Sequence, residues 1–339
     1  MDKFTKKKWF VGIDISKDHL DLALLKADKL DEFKEKRVDN KFQGFDSILS
    51  WLSDQKVSLK ECLFCMEHTG TYGLLLFAWL GQLGVDYCVE PGMKIKRSLG
   101  ITRGKNDRVD ARRIADYAHT NRARLTAFQL PSVLLIQIKQ LLTYRDQQTR
   151  IKVSLQNSLQ SHKQYQRVSG NNSISEEIHN QISECAKRLH RIDAQIKALI
   201  KSDESLKKNF DLARSVKGIG LVISAYMLVT TNNFTSFENG RKFASYSGVA
   251  PFENSSGKYR GKTRISHLAN KRVKTILSSG ANSAIQWDPE LRAYYNRKMA
   301  EGKEHKLVIN SIRFKMLNRV FSVVNRGTPY VITYQQKIA

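Results

Sequence analysis

Trp9-Phe10-Val11-Gly12-Ile13-Asp14-Ile15 is a short apolar run carrying a single acid, and reading it as a strand organises everything around it. Residues 19–25 alternate in polarity and residues 34–38 do so weakly, with Lys17-Asp18 and Lys29-Leu30-Asp31-Glu32 as the intervening turns. Three antiparallel strands are therefore expected. Helical spacing over 42–52, a fourth strand over 61–66, a helix over 72–83 and a fifth strand over 85–89, ended by Pro91-Gly92, complete the segment. Three strands followed by alternating helix and strand form an α/β layer pattern.

Further out, the signal changes to long helices between about 132 and 203. Ile178, Cys185, Ile192 and Leu199 repeat every seven residues, as do Ile182, Leu189 and Ile196, and together they make an a/d seam. Ser173 with Glu176 reads as a capping box that starts this helix. A preceding helix over 134–159 and the turn Ser169-Gly170-Asn171-Asn172 suggest an antiparallel coiled-coil hairpin. It could serve as a spacer or dimerisation arm, or simply pair within one chain. From Leu206 onward short helices alternate with Gly and Asn breaks, and residues 248–265 read as a loop or hairpin. The expected domains are 1–130, 131–205 and 206–339.

The chain has 339 residues, enough for at least two cores, and a formal net charge of +25. Residues 206–339 hold 23 Lys and Arg against 7 Asp and Glu, so most of the excess lies in the last domain. An excess of one sign on this scale points to a polyanionic partner, of which nucleic acid is the commonest. Four scattered cysteines exclude a disulfide scaffold. Cys62 and Cys65 make a CxxC in an apolar run with no second ligand pair, so they read as small buried hydrophobes. The basic start leads into an apolar run containing Asp14, unlike a signal peptide, and no stretch of eighteen apolar residues follows. A cytoplasmic protein without a membrane partner is expected.

Asp14 sits near the end of the first strand and Glu67 at the end of the fourth, while Asp107 and Asp110 stand three apart where a helix begins. That spacing puts the last two on one helix face. One acid in a first turn is accounted for by the helix dipole, but the pair is accounted for poorly. Four converging carboxylates repel one another unless divalent cations neutralise them, and two Mg²⁺ ions (Mn²⁺ as the substitute) about 4 Å apart suit phosphoryl transfer. Arg103, Lys105, Arg108, Arg112 and Arg113 are candidate phosphate clamps, or equally a solvated basic helix face.

These blocks, Gly12-Ile13-Asp14-Ile15-Ser16-Lys17, Glu67-His68-Thr69-Gly70-Thr71-Tyr72 and Asn106-Asp107-Arg108-Val109-Asp110-Ala111, resemble those of the DEDD insertion-sequence transposases (the IS-one-ten family). Piv-type DNA invertases share them. The resemblance implies an RNase H-like (RuvC-like) N-terminal fold, with the family's four acids falling on Asp14, Glu67, Asp107 and Asp110. A mostly α C-terminal transposase domain would follow the hairpin.

In that domain, Ser215-Val216-Lys217-Gly218-Ile219-Gly220-Leu221 has the Gly-x-Gly turn of a helix-hairpin-helix, which could offer amides and Lys217 to a phosphate. An ordinary glycine-rich connector fits as well. Around Ser255 and Ser256, small residues alternate with Lys258, Arg260, Lys262 and Arg264, and Lys271 and Arg272 follow; these six are candidate nucleic-acid contacts. A Ser-Ser-Gly loop is by itself just a turn, with no His-Asp partner to activate it. The resemblance, which covers the chain to about residue 327, gives it more: a serine similar in position to Ser256 becomes covalently joined to DNA, with Ser255 as the alternative. It further implies donor and target DNA, a structured bridge RNA as guide, and homodimers pairing into tetramers. Site-specific inversion, a RuvC-like structure-specific nuclease without a serine step, and a non-catalytic nucleic-acid binder are the competing readings.

Overall fold

The computed structural model describes residues 3–98, 107–170, 172–250, 252–256, 259–264 and 269–331. The chain divides into two compact units, Met1–Leu130 and Pro131–Ala339.

The first unit holds strands β1 (Trp9–Ile15), β2 (His19–Lys26) and β3 (Lys29–Asp39), then helix α1 (Phe42–Asp54), β4 (Cys62–Glu67), α2 (Leu74–Gln82), β5 (Tyr87–Glu90), α3 (Gly92–Ser98) and α4 (Asp107–Asn121). The sheet order is β3-β2-β1-β4-β5. The first three strands are antiparallel neighbours, while β4 runs parallel to β1, and β5 parallel to β4. The stretch Lys29-Leu30-Asp31-Glu32, expected as a turn, is instead the first part of β3. That strand lies at the sheet edge and is mostly solvent-facing, so it lacks the apolar alternation that marks a strand in sequence.

Because side chains alternate across a strand, the sheet builds two different cores. Val11, Ile13, Leu20, Leu22, Phe64 and Met66 point to one face and pack with Phe45 and Ile48 of α1 and Phe77 and Leu80 of α2. Phe10, Ala23, Leu25, Leu63, Cys65 and Cys88 point to the other, against Ile95 of α3 and Ala111, Ile114 and Ala115 of α4. Burial on both faces explains why β1 and β4 read as continuous apolar runs. Cys62 and Cys65 belong to opposite faces, so the CxxC cannot converge on a metal; both are free and buried.

The second unit begins with helices α5 (Val133–Ser169) and α6 (Ser173–Lys201), followed by α7 (Glu204–Ser215), α8 (Leu221–Thr230), α9 (Gly240–Tyr246), strands β6 (Phe252–Ser256) and β7 (Tyr259–Arg264), and helices α10 (Lys271–Trp287), α11 (Pro289–Ala300) and α12 (His305–Arg326). Ser132 caps α5 by accepting from the Leu135 amide, and Gly170 ends it with φ 69°. Helix α6 starts at Ser173, but the N-cap position is Asn172, so Ser173 is its first turn rather than its cap.

Arg145 pairs with Asp193 and Arg188 donates to Gln148, which makes α5 and α6 an antiparallel hairpin. Its base, with Leu135, Ile138, Ile192, Ile196 and Ile200, packs against Leu206 and Phe210 of α7 and Leu228 of α8. A second core gathers α7 to α12 around Phe243, Leu277, Ile312, Met316 and Phe321. Among the described residues no helix is long and apolar enough to cross a membrane.

Candidate active site

Strand parity brings the acids of the first unit together. Gly12 and Asp14 share a face of β1, and Glu67 shares the face of Cys65 in the neighbouring parallel β4, where Ile13 is in register with Met66. That face is the one α4 covers. A Cβ on Gly12 would lie 2.2 Å from the Ala111 carbonyl oxygen and 2.3 Å from the Ala115 amide nitrogen, so only glycine lets the helix approach this closely. The approach carries the first turn of α4, with Asp107 and Asp110, toward the end of β1.

Asp14 shows the electrostatic result. Burial, followed by the negative charges of Asp110, Asp107, Glu67 and Asp21, pushes its carboxyl up to about 6. The first three of these neighbours are the other members of the expected tetrad. The remaining acid, Asp21, is buried in β2 directly opposite Asp14 and was not singled out from sequence. Arg37 of β3 holds it with two hydrogen bonds of 2.9 and 2.8 Å, and the same guanidinium reaches Asp107 at 3.6 Å. Asp110 pairs with Arg113 at 2.8 Å. Glu90, also missed and also buried, is the register partner of Glu67 and receives Lys94 at 2.7 Å. The Glu67 carboxylate lies against Gly92, where a Cβ would come within 1.9 Å of its Oε1.

Among the described residues, no three His, Cys, Asp or Glu side chains stand close enough to hold a metal ion as arranged here. The acids share one face, with arginines on two of them. The donor set, four carboxylates with one made costly to ionise by burial and then by the others, nevertheless fits a hard divalent cation in kind.

The basic residues divide by their partners. Arg112 pairs with Glu35 and lies over the Phe33 ring. Arg272 donates to the buried Asp146 and lies over Tyr226, so its charge is matched inside the second unit. Arg108, Lys217 and Lys271 are exposed. Arg103, Lys105 and Lys258 lie outside the described residues, and for Arg260, Lys262 and Arg264, as for the two serines, the description is of the backbone. Gly218 has φ 85° and sits against the Gly280 carbonyl, where a Cβ would come within 2.3 Å, so close packing on α10 already accounts for the glycine in that turn.

Residues 252–264 contain a two-stranded hairpin in which Ser255 is in register with Arg260 and Ser256 with Tyr259. Ser256 is the last residue of its strand. The chain enters through Val249, whose carbonyl accepts from Asn310 of α12 at 2.6 Å, and leaves into α10 past Asn270, whose amide donates to the Tyr246 carbonyl at 2.8 Å.

Two family models match, each to one of these regions: an IS110-type DEDD transposase model over residues 11–164, and one described as transposase IS116/IS110/IS902 family over residues 211–296. The chain belongs to the IS110 family of transposases. As a family member it is an enzyme of the DNA transposase and recombinase class. The pilin gene-inverting protein of Moraxella bovis is 24% identical over 328 residues, which cover 95% of this transposase and 98% of that protein. The insertion element IS110 uncharacterized 43.6 kDa protein of Streptomyces coelicolor is 30% identical over 139 residues, 41% of this chain and 33% of its own length. Similarity to the inverting protein thus runs through both units.

Proposed function

We propose that this transposase cuts and rejoins DNA, using Asp14, Glu67, Asp107 and Asp110 to hold Mg²⁺ and Ser256 as the nucleophile that becomes joined to the strand. The observation that carries this reading is the Asp14 carboxyl, raised by burial and then by the negative charges of all three other acids. The sheet order β3-β2-β1-β4-β5 supports an RNase H-like fold for the first unit, and the buried heptad positions of α6 support a coiled-coil packing of the hairpin.

When bound, divalent cations would neutralise charge on the scissile phosphate. In the serine step, a bond forms between Ser256 Oγ and phosphorus as one phosphorus–oxygen ester bond breaks. The hydroxyl proton passes to solvent and the leaving sugar oxygen takes one up. Attack by a sugar hydroxyl in the reverse sense restores the DNA and frees the serine, so the strand is rejoined without ATP. Donor and target DNA are the substrates, a structured bridge RNA is the guide, and dimers pairing into tetramers would supply acids and serine to one reaction. The full-length similarity to the pilin gene-inverting protein favours inversion as the second reading.

The test traps wild type on labelled DNA bearing the element ends, with the flanking non-coding RNA, and compares Ser256→Ala with Ser255→Ala on denaturing gels. A covalent band lost only in Ser256→Ala is expected. Loss only in Ser255→Ala moves the nucleophile by one residue, and cleavage by both variants with no covalent band leaves a nuclease.

A further inference from the structure

Several cations of the second unit that are drawn in from solvent have an acid beside them. Arg319 meets the fully buried Asp288 at 2.8 Å, Arg272 meets Asp146, and Arg145 meets Asp193 at 2.6 Å. Arg313 on α12 and Lys274 on α10 are among those that do not. Both are half-buried, and among the described residues neither forms an ion pair. The Arg313 Nε is buried with no hydrogen-bond acceptor among the described residues, and its Nη1 makes a long hydrogen bond, 3.2 Å, to Asn310 Oδ1.

Both cations are disfavoured in their charged form, Lys274 in part by Arg313. Burial alone pulls the Arg313 guanidinium below its usual range, and burial together with Arg313 does the same to the Lys274 ammonium. A fold that holds two like charges near each other, partly dehydrated and without a carboxylate, is less stable for it, unless an anion joins them.

Their position says which anion. Asn310, which receives Arg313, itself donates to the Val249 carbonyl where the chain enters the serine hairpin. Lys274 lies one turn into α10, the helix into which the chain leaves that hairpin. The pair therefore stands at the two roots of the segment carrying Ser255 and Ser256.

We infer that Lys274 and Arg313 form a phosphate-binding site that grips one backbone phosphodiester of the DNA strand presented to the serine hairpin. The inference rests on the reading that this unit handles DNA. The Arg313 guanidinium and the Lys274 ammonium supply donors from two helices, and the phosphate takes the place of the missing carboxylate. Neither residue belongs to the basic stretch of sequence around the serines, so the site differs from a general attraction of that stretch for polyanion.

The experiment measures binding of the full-length protein to a labelled DNA duplex and to an RNA duplex of equal length by fluorescence anisotropy across a salt series. Wild type, Lys274→Gln, Arg313→Gln and the double variant are compared, with the thermal midpoint of each free protein. The expected result is a slope of log affinity against log salt that falls by about one in the double variant on DNA, the value for one phosphate. Lys274→Gln, which alters a half-exposed side chain, should keep or raise the thermal midpoint while binding DNA less tightly. An unchanged DNA slope in the double variant overturns the inference, whatever happens with RNA. So does a Lys274→Gln midpoint well below wild type with DNA affinity intact, which marks a purely structural residue. A wild type that does not bind DNA overturns the DNA-handling reading along with the inference, whereas wild-type binding with an unchanged variant slope overturns the inference alone.

Discussion

Asp14 and Asp21 are direct register partners across the antiparallel β1–β2 ladder, and only one of them has a cation. Arg37 takes Asp21, while among the described residues Asp14 is left with carboxylates for neighbours. One acid is thereby fixed as structure, and the other is left available to a ligand.

Removing the negative charge at Asp14 should stabilise the metal-free protein at neutral pH. The folded-state value of about 6 lies above the ordinary 3.8, so the protonated acid is favoured by folding. Its contribution is fully present below about pH 4 and lost as pH rises through about 6. Asp14→Asn should therefore unfold later than wild type in chelator above about pH 6, by on the order of 1 kcal/mol after allowance for solvent screening, and match it below about pH 4. Thermal melts across this range check it. Equal stability at neutral pH would show that the four acids are farther apart in effect than inferred.

Divalent cations should be required for DNA cleavage. Glu67→Gln should lose activity by orders of magnitude while retaining fold and DNA binding, as removal of a ligand from a catalytic cation does. Cleavage assays in EDTA, Mg²⁺ and Mn²⁺ read this directly, and full activity in EDTA would refute the metal assignment.

Gly12→Ala should unseat α4. The new methyl meets backbone, the Ala111 oxygen and the Ala115 nitrogen, which cannot turn aside as a side chain could. A loss of at least 1–3 kcal/mol, roughly the range for overpacking, should appear in urea denaturation, and DNA cleavage should fall with it.

Arg37→Met should destabilise the first unit by on the order of 2 kcal/mol, because it leaves the buried Asp21 without its partner. Part of that loss should return in Asp21→Asn/Arg37→Met. A urea double-mutant cycle measures the coupling, and additive single effects would show that the pair is not energetically linked.

The central strands were legible because burial on both faces leaves apolar runs, and the acids at their ends stood out against those runs. The edge strand β3 was half-hidden, since Lys29, Asp31 and Lys34 face water and carry no pattern. Asp21 and Glu90 escaped notice for a different reason. Each is one polar residue inside an apolar strand, and its meaning depends on Arg37 or Lys94 supplied by another element. The Lys274 and Arg313 pair lay beyond sequence reading altogether, because it consists of two helices bringing like charges together and of a carboxylate that is not there. By contrast, Arg272 reads from sequence as one of the candidate nucleic-acid contacts, and only the fold puts Asp146 beside it.

The long hairpin has a consequence of its own. Arg145 with Asp193, Gln148 with Arg188 and Gln166 with Asn172 form a ladder in which each step toward the turn on α5 is matched by a step back along α6. Losing one residue from a single arm would shift that arm by about 1.5 Å and rotate it by about 100°, mismatching every rung on one side of the change. Losing seven from each arm, level with one another, would shorten the hairpin by about 10 Å and keep the remaining rungs. The hairpin is in this sense a ruler graduated in paired heptads, whose reach can be reset without disturbing the acids at one end of the chain or the serines at the other.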